Sequence, residues 1–479
     1  MNKYNLIFTL IFLILIGCQQ DKNASESNSP EANSPGDMPS WGKNATIYEV
    51  NLRQYSEDGS VNTFSTQLPR IKAMGIDILW FMPLHPISMT NRKATPEIMI
   101  EEIEDPEEKK KYLGSPYSVS DYRGFNPEYG TMDDFKNMLK SAHDLGMKVI
   151  IDWVPNHTGW DHQWIKDHPD WYTHVDGKII KAPTLKGEPT DWYDTAELNF
   201  DNQEMRKTMI GDMLFWINEI GVDGFRMDVA HDVPADFWKQ ASDALFAAGN
   251  IFMLAEGQEA DQINNGYFHS DYGWDIHHIM NEVAKGEKPA TAFDEWLKQD
   301  RERFTKGFHM MFTSNHDENT WAGTVFDRLG EGAQTFAVFA GTFDGMPLVY
   351  SGQESANRKR LEFFEKDAIS WGQYPYARFY KTLFDLKHNN KALWNGDFGG
   401  EPQKIMTSND QSLYAYMREK DGDKVVVILN FSDKNQNFNL KGTGYEGEYK
   451  NVFSNEKMKL EKEAKMVIKA WNYLVLSNK

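Results

Sequence analysis

Cysteine is nearly missing from this chain: Cys18 is the single one in 479 residues, so no disulfide can form within it. Long apolar runs are scarce as well. The most apolar, Leu6 to Ile16, follows Lys3 and is too short for a comfortable bilayer span. Cationic side chains are in the minority, 51 Lys and Arg against 71 Asp and Glu, for a formal charge of -20. That balance argues against nucleic acid and against attraction to anionic lipid, and it leaves a neutral ligand such as a sugar open.

What is present is ample material for a core. Hydrophobic residues make up 40% of the chain, and 15 Trp, 20 Tyr and 29 Phe allow stacking platforms for flat ligand faces beside their usual place in the interior. The amino end reads as a signal peptide over 1–17, and Leu15-Ile16-Gly17-Cys18 resembles the bacterial lipobox, in which the cysteine becomes the lipidated first residue. Cys18 is therefore the expected lipidation site of an exported bacterial lipoprotein, anchored at the outer membrane. Residues 18–40, rich in Ser, Asn, Pro and Glu, read as a disordered tether. No pattern in the sequence sets the oligomeric state.

From Trp41 onward short β-like runs alternate with amphipathic helical ones, the signature of βα units around a parallel sheet. Strands are expected at Ala45–Tyr55, Ile76–Pro83, Lys148–Val154, the stretch ending on Arg226 and Asp228, Ile251–Glu256, Gly307–Thr313 and Pro347–Tyr350. An eighth, weaker one falls near Tyr272–Ile279. Helices are expected between them, among others at Phe135–Leu145, Met205–Ile220 and Ala235–Ala248. The fold class is thus α/β, a (β/α)8 TIM barrel over 41–157 and 200–390. Residues 158–199 carry Trp160, Trp164, Trp171 and Trp192 without sustained periodicity, and are expected to form an inserted domain after the third strand. Residues 391–479 show short alternating strands separated by Asp-Gly, Asn and Ser turns, and are expected to form a C-terminal antiparallel β-sandwich. The charged stretch Lys93 to Leu113 reads as a solvated excursion without chemistry.

In a βα barrel, catalytic groups sit at the carboxyl ends of the strands. Reading those ends in order yields Asp152, Asn156 and His157, then Arg226, Asp228 and His231, then Glu256, and then Asn315, His316 and Asp317. A single buried Asp or His is usually a satisfied core group. Several carboxylates gathered with histidines and an arginine repel one another unless function retains them. Two carboxylates facing one site suggest displacement at an acetal carbon. Arg226, two residues from Asp228 on one strand face, is expected to keep Asp228 ionised, as suits a nucleophile. Glu256 ends the apolar run Ile251 to Ala255, which is expected to raise its pKa, as suits a general acid/base.

The motifs Asp152-Trp-Val-Pro-Asn-His157, Gly224-Phe-Arg-Met-Asp228, Glu256 after its apolar strand, and Asn315-His316-Asp317 together resemble the α-amylase family, glycoside hydrolase family 13. The resemblance runs from Trp41 to the end of the chain. It implies Asp228 as nucleophile, Glu256 as general acid/base and Asp317 as the group that grips sugar hydroxyls at the transition state. It also implies substrate contacts from Tyr117, Asp152, His157, His231 and His316, with Arg226 orienting the nucleophile. Residues 158–199 would be the family's domain B and the C-terminal sandwich its domain C. The activity implied is retaining hydrolysis of α-1,4 bonds in starch, glycogen or maltodextrins. The chemistry itself would need no cofactor, and Asn156 is left as a candidate calcium ligand. Val229 to Asp232 carries features of the neopullulanase and cyclomaltodextrinase type, so α-1,6 cleavage or transglycosylation stays open, as does a non-catalytic glycan-binding lipoprotein.

Overall fold

The computed structural model describes residues 36–479. Cys18, the expected signal peptide and most of the expected tether lie outside the described residues. Eight parallel strands close into a barrel: β1 (Ile47–Val50), β2 (Ile78–Phe81), β3 (Lys148–Trp153), β4 (Gly224–Met227), β5 (Phe252–Ala255), β6 (Ser270–Tyr272), β7 (Phe308–Met311) and β8 (Met346–Tyr350). Each strand pairs with its sequence neighbours, and β8 closes on β1 with Ile47 opposite Leu348.

These strands are buried on both faces, which is why they read as near-continuous apolar runs rather than as polar/apolar alternation. Period two still sorts their side chains. Ile47, Ile78, Trp80, Ile150, Leu254 and Met310 fill the barrel interior. Tyr48, Leu79, Phe81, Ile151, Phe225 and Met253 point outward into the layer under the helices. Continuing the inward parity beyond the apolar positions brings Glu49, Asp152, Arg226 and Glu256 to one end of the barrel. At Gly224 the backbone has φ +148, and a Cβ there would stand 1.9 Å from the Phe252 carbonyl oxygen, so β4 and β5 meet only because this residue has no side chain.

The helices follow local signals. Met132–Asp144 begins at Thr131, whose hydroxyl accepts from the Asp134 N–H in a capping box, and Ala235–Ala248 matches the expected span. Between β3 and β4, outside the barrel, lie two short antiparallel pairs: His157–Thr158 with Ala196–Glu197, and His174–Val175 with Lys178–Ile179.

The C-terminal region is an antiparallel sheet of eight strands. Leu413, Ala415, Val426 and Ile428 face the region's own core, while Tyr414, Tyr416, Val425 and Val427 join the main core around the barrel helices.

Two element assignments need correction. Ala45–Tyr55 is not one strand: after β1 the Asn51 side chain accepts from the Gln54 N–H and starts a helical turn, Leu52–Tyr55. The weak strand near Tyr272–Ile279 is the short β6 followed at once by the helix Trp274–Ala284, so a strand pattern and a helix pattern were superposed there. Among the described residues no helix is long and apolar enough to cross a membrane.

Candidate active site

The centre of the site is Arg226, whose side chain is fully buried. Its Nη1 donates to Asp152 Oδ1 and to Asp228 Oδ1, both at 2.8 Å, and its Nε donates to the Tyr272 hydroxyl at 3.0 Å. Nη2 lies 2.9 Å from Glu256 Oε2, and the guanidinium sits 5.2 Å from the Trp80 ring centroid. A buried guanidinium is tolerable only when its charge is compensated, and three carboxyl groups stand within ion-pair distance of it here.

One cation among three carboxyl groups leaves a surplus of negative charge, and its distribution reverses the expectation from sequence. Burial and the neighbouring Glu256 push the Asp228 carboxyl well above the usual range, despite Arg226. For Glu256 burial acts upward too, but Arg226 and the Val229 N–H outweigh it and hold this carboxyl below its ordinary value. Asp152 is pushed up to about 6 by burial, against the pull of Arg226. The reason is geometric. Glu256 folds onto Arg226 and accepts from the Val229 N–H at 2.7 Å, whereas Asp228 meets one guanidinium N–H and faces two other carboxyls. Val229 pays for that contact with a left-handed backbone, φ +37, which is costly for a β-branched residue.

A second set of contacts lies beside the first. His316 Nδ1 is 2.6 Å from Glu49 Oε1, and its Nε2 is 2.7 Å from the Tyr117 hydroxyl and 3.4 Å from Asp317 Oδ2. The Tyr117 hydroxyl donates to Asp152 Oδ2 at 3.1 Å, which ties both sets together. Burial opposes a charge on His316, but Asp317 and Glu49 prevail and its pKa is pushed up to about 9. The imidazolium thus donates from both nitrogens. His157 carries no such partner, and burial takes it down to about 4, so it is neutral. Asp317 accepts from the Trp321 indole N–H at 3.2 Å.

These groups surround a cavity of about 400 Å³. Asp228, Glu256, Asp317, Tyr117, His157 and His316 line it. Arg226 and Asp152 stand behind the lining with no exposed surface. His231, expected to touch substrate, stands off the lining: its Nδ1 is 3.2 Å from the Glu256 carbonyl oxygen and its side chain is 40% exposed. Asn156 turns its amide towards His157 Nδ1 at 3.4 Å, and among the described residues no group of three or more His, Cys, Asp or Glu is placed to hold a metal ion.

Sequence reasoning missed four contributors: Lys93, Glu49, Trp321 and Phe363. Lys93 contradicts the reading of its stretch as solvated, since it is 4% exposed and lines the cavity. Glu49 could have been found by inward parity from Ile47, and Trp321 by its place one helical turn after Asp317. Phe363 lies parallel to Tyr117, with centroids 6.1 Å apart, and nothing in its local sequence marks it.

A (β/α)8 barrel with an insertion after β3, a C-terminal sheet and a carboxyl cluster around one arginine at the cavity floor belongs to the class of sugar-cleaving hydrolases. Comparison with known proteins narrows this. The model of the α-amylase catalytic domain matches residues 40–424, and that of the maltogenic amylase C-terminal domain matches 404–475. α-Amylase 3 of Dictyoglomus thermophilum is 26% identical over 84% of this chain and 87% of its own length. Among solved structures, a maltogenic α-amylase from Thermotoga neapolitana superposes with a TM-score of 0.78 at 26% identity, covering 91% of this chain and 98% of its own. An α-amylase from Lactobacillus plantarum gives 0.77 at 25%, covering 92% and 100%. The chain belongs to the α-amylase family of glycoside hydrolases.

Proposed function

We propose that this enzyme hydrolyses α-1,4-glucosidic bonds of maltodextrins, starch or glycogen by double displacement with net retention. The observation that carries this reading is that Asp228 and Glu256 contact the same guanidinium and face the same cavity. Their separation is thereby limited to about the span of one arginine head group, closer to the short spacing of retaining glycosidases than to the wide spacing that admits a water between the carboxyls.

Asp228 is the nucleophile at the anomeric carbon and Glu256 the acid that protonates the leaving oxygen. In the free site the two shifts, Asp228 upward and Glu256 downward, run opposite to what the first step needs. A glycosidic oxygen that draws Glu256 off Arg226 corrects this. It takes Glu256 away from the cation that lowers its pKa and leaves Arg226 to Asp228 and Asp152, so Glu256 shifts upward and Asp228 downward as the bond comes into place. Water then attacks the glycosyl ester of Asp228, with Glu256 as base. Tyr117 offers a ring face to the sugar, and Asp317 with the His316 imidazolium binds its hydroxyls. Neutral His157 adds a further donor. Asn156 stays a candidate calcium ligand, and the steps above need no cofactor.

The lipobox-like sequence supports a lipid anchor at Cys18 and export to the outer membrane; palmitate labelling lost in Cys18→Ser tests it. For the reaction, proton NMR of the first products tests retention: α-anomers are expected and initial β-anomers contradict it. Amylose, pullulan and isomaltose compared side by side test the bond. Faster cleavage of isomaltose or of the α-1,6 links of pullulan than of amylose overturns the α-1,4 reading.

A further inference from the structure

Glu49 is fully buried and takes no part in lining the cavity, yet it holds a residue that does. It extends from β1 with the inward parity of Ile47, and its register neighbours are Trp80 on β2 and Tyr350 on β8. From there it reaches past β8 to the segment after β7. Its Oε1 lies 2.6 Å from His316 Nδ1 and accepts the His316 backbone N–H at 3.3 Å. Its Oε2 meets no hydrogen-bond donor among the described residues.

A structural ion pair is a poor account of this placement. Taking a carboxylate out of water is costly, and an oxygen without a donor adds to the cost. The pairings of β1 with β8 and of β8 with β7 already hold these elements together. What the carboxyl adds is a fixed direction for the His316 ring. The Tyr117 hydroxyl donates to Asp152 Oδ2, so its oxygen is left to accept, and His316 Nε2 at 2.7 Å is the donor. Asp152 accepts in turn from Arg226 Nη1, which also donates to Asp228 Oδ1. Hydrogen bonds thus run without a break from Glu49 through His316, Tyr117, Asp152 and Arg226 to Asp228. The Tyr117 and His316 rings are also stacked, 5.5 Å between centroids and 18° between planes, so the two move together.

We propose that Glu49 is a positioning residue of the reaction: by fixing the His316 ring with an N–H directed at Tyr117, it keeps the Tyr117 hydroxyl on Asp152 and so sets the nucleophile Asp228 against the sugar. This goes beyond the double-displacement reading above and rests on it. Glu49→Gln alters the least that the proposal requires. An amide oxygen in the place of Oε1 selects the neutral ring protonated on Nδ1. Nε2 is then bare and draws the Tyr117 hydroxyl away from Asp152.

The test is a cycle of wild type, Glu49→Gln, His316→Asn and the double variant, with steady-state rates on 4-nitrophenyl α-maltoheptaoside expressed per mole of folded enzyme. Glu49→Gln is expected to lower kcat about 10- to 100-fold while KM changes less than about threefold. In the His316→Asn background the same substitution is expected to change kcat less than about twofold, because the ring through which Glu49 acts is gone. Glu49→Asp keeps the charge and is expected to turn over at least about threefold faster than Glu49→Gln. Equal losses from Glu49→Gln in both backgrounds make Glu49 a general core residue and overturn the proposal. A wild-type kcat in Glu49→Gln, or an aspartate variant no faster than the glutamine one, overturns it too. Absence of cleavage by the wild type overturns the α-1,4 reading and the positioning role with it.

Discussion

Trp321 donates its indole N–H to Asp317 Oδ1 at 3.2 Å, although its ring is 45% exposed at the mouth of the cavity. The same ring packs against Phe363 at 5.3 Å between centroids, and so joins the wall beside Tyr117. Trp321 therefore has two separable parts, a donor that orients Asp317 and a face that can meet a sugar. Trp321→Phe is expected to lower kcat/KM about fivefold to tenfold through the lost hydrogen bond. Trp321→Ala is expected to cost more, chiefly in KM. Steady-state kinetics on a maltooligosaccharide distinguish the two, and equal losses in both variants would deny the ring a part in binding.

Arg226 contacts three carboxyl groups from full burial, and a lysine cannot reach them together. Arg226→Lys is expected to lower the unfolding free energy by about 3 kcal/mol and kcat by at least about 100-fold. Urea denaturation and initial rates measure both. A stable, active variant would mean that the carboxyl cluster does not depend on this cation.

His316 sets a pH dependence of stability. Its pKa is raised in the folded protein to about 9, from about 6.5 when unfolded. The stabilisation from its charge is therefore complete below about pH 6.5 and is lost as pH rises through about 9, amounting to roughly 3 kcal/mol. The wild type is expected to lose more unfolding free energy between pH 6.5 and 9.5 than His316→Gln. Parallel pH profiles for the two would show that His316 is not charged in its contact with Glu49 and Asp317.

Much of this architecture was legible from periodicity. The strands that became β2, β3, β5, β7 and β8 and the helix Ala235–Ala248 stood where their apolar patterns put them. The acidic and histidine residues fell at strand ends because the barrel's inward parity carries them there. What escaped had non-local causes. Lys93 sits in a charged stretch whose local pattern is that of a surface, and its partner Asp191 lies far along the chain, between β3 and β4. The directions of the Asp228 and Glu256 shifts were read backwards from neighbours in sequence. Arg226 is near Asp228 along the chain, yet across strands β4 and β5 it holds Glu256 as well, together with the Val229 N–H.

Gly224 supports that same crossing. Its hydrogen atoms face the Phe252 carbonyl where a Cβ would stand 1.9 Å away, so Gly224→Ala must push β4 from β5. The variant is expected to lose about 3 kcal/mol of stability and, because Arg226 and Glu256 extend from these two strands, to lose activity in its remaining folded fraction. Thermal unfolding and active-site-normalised rates check this, and wild-type stability would contradict the close contact.

The central claim is that Asp228 attacks the anomeric carbon. A slow fluorinated α-glucosyl fluoride should trap the ester, and mass spectrometry of a proteolytic digest should find the added sugar on the peptide bearing Asp228, with no label in Asp228→Asn. A label on Glu256, or turnover of the probe without any covalent species, would contradict the account.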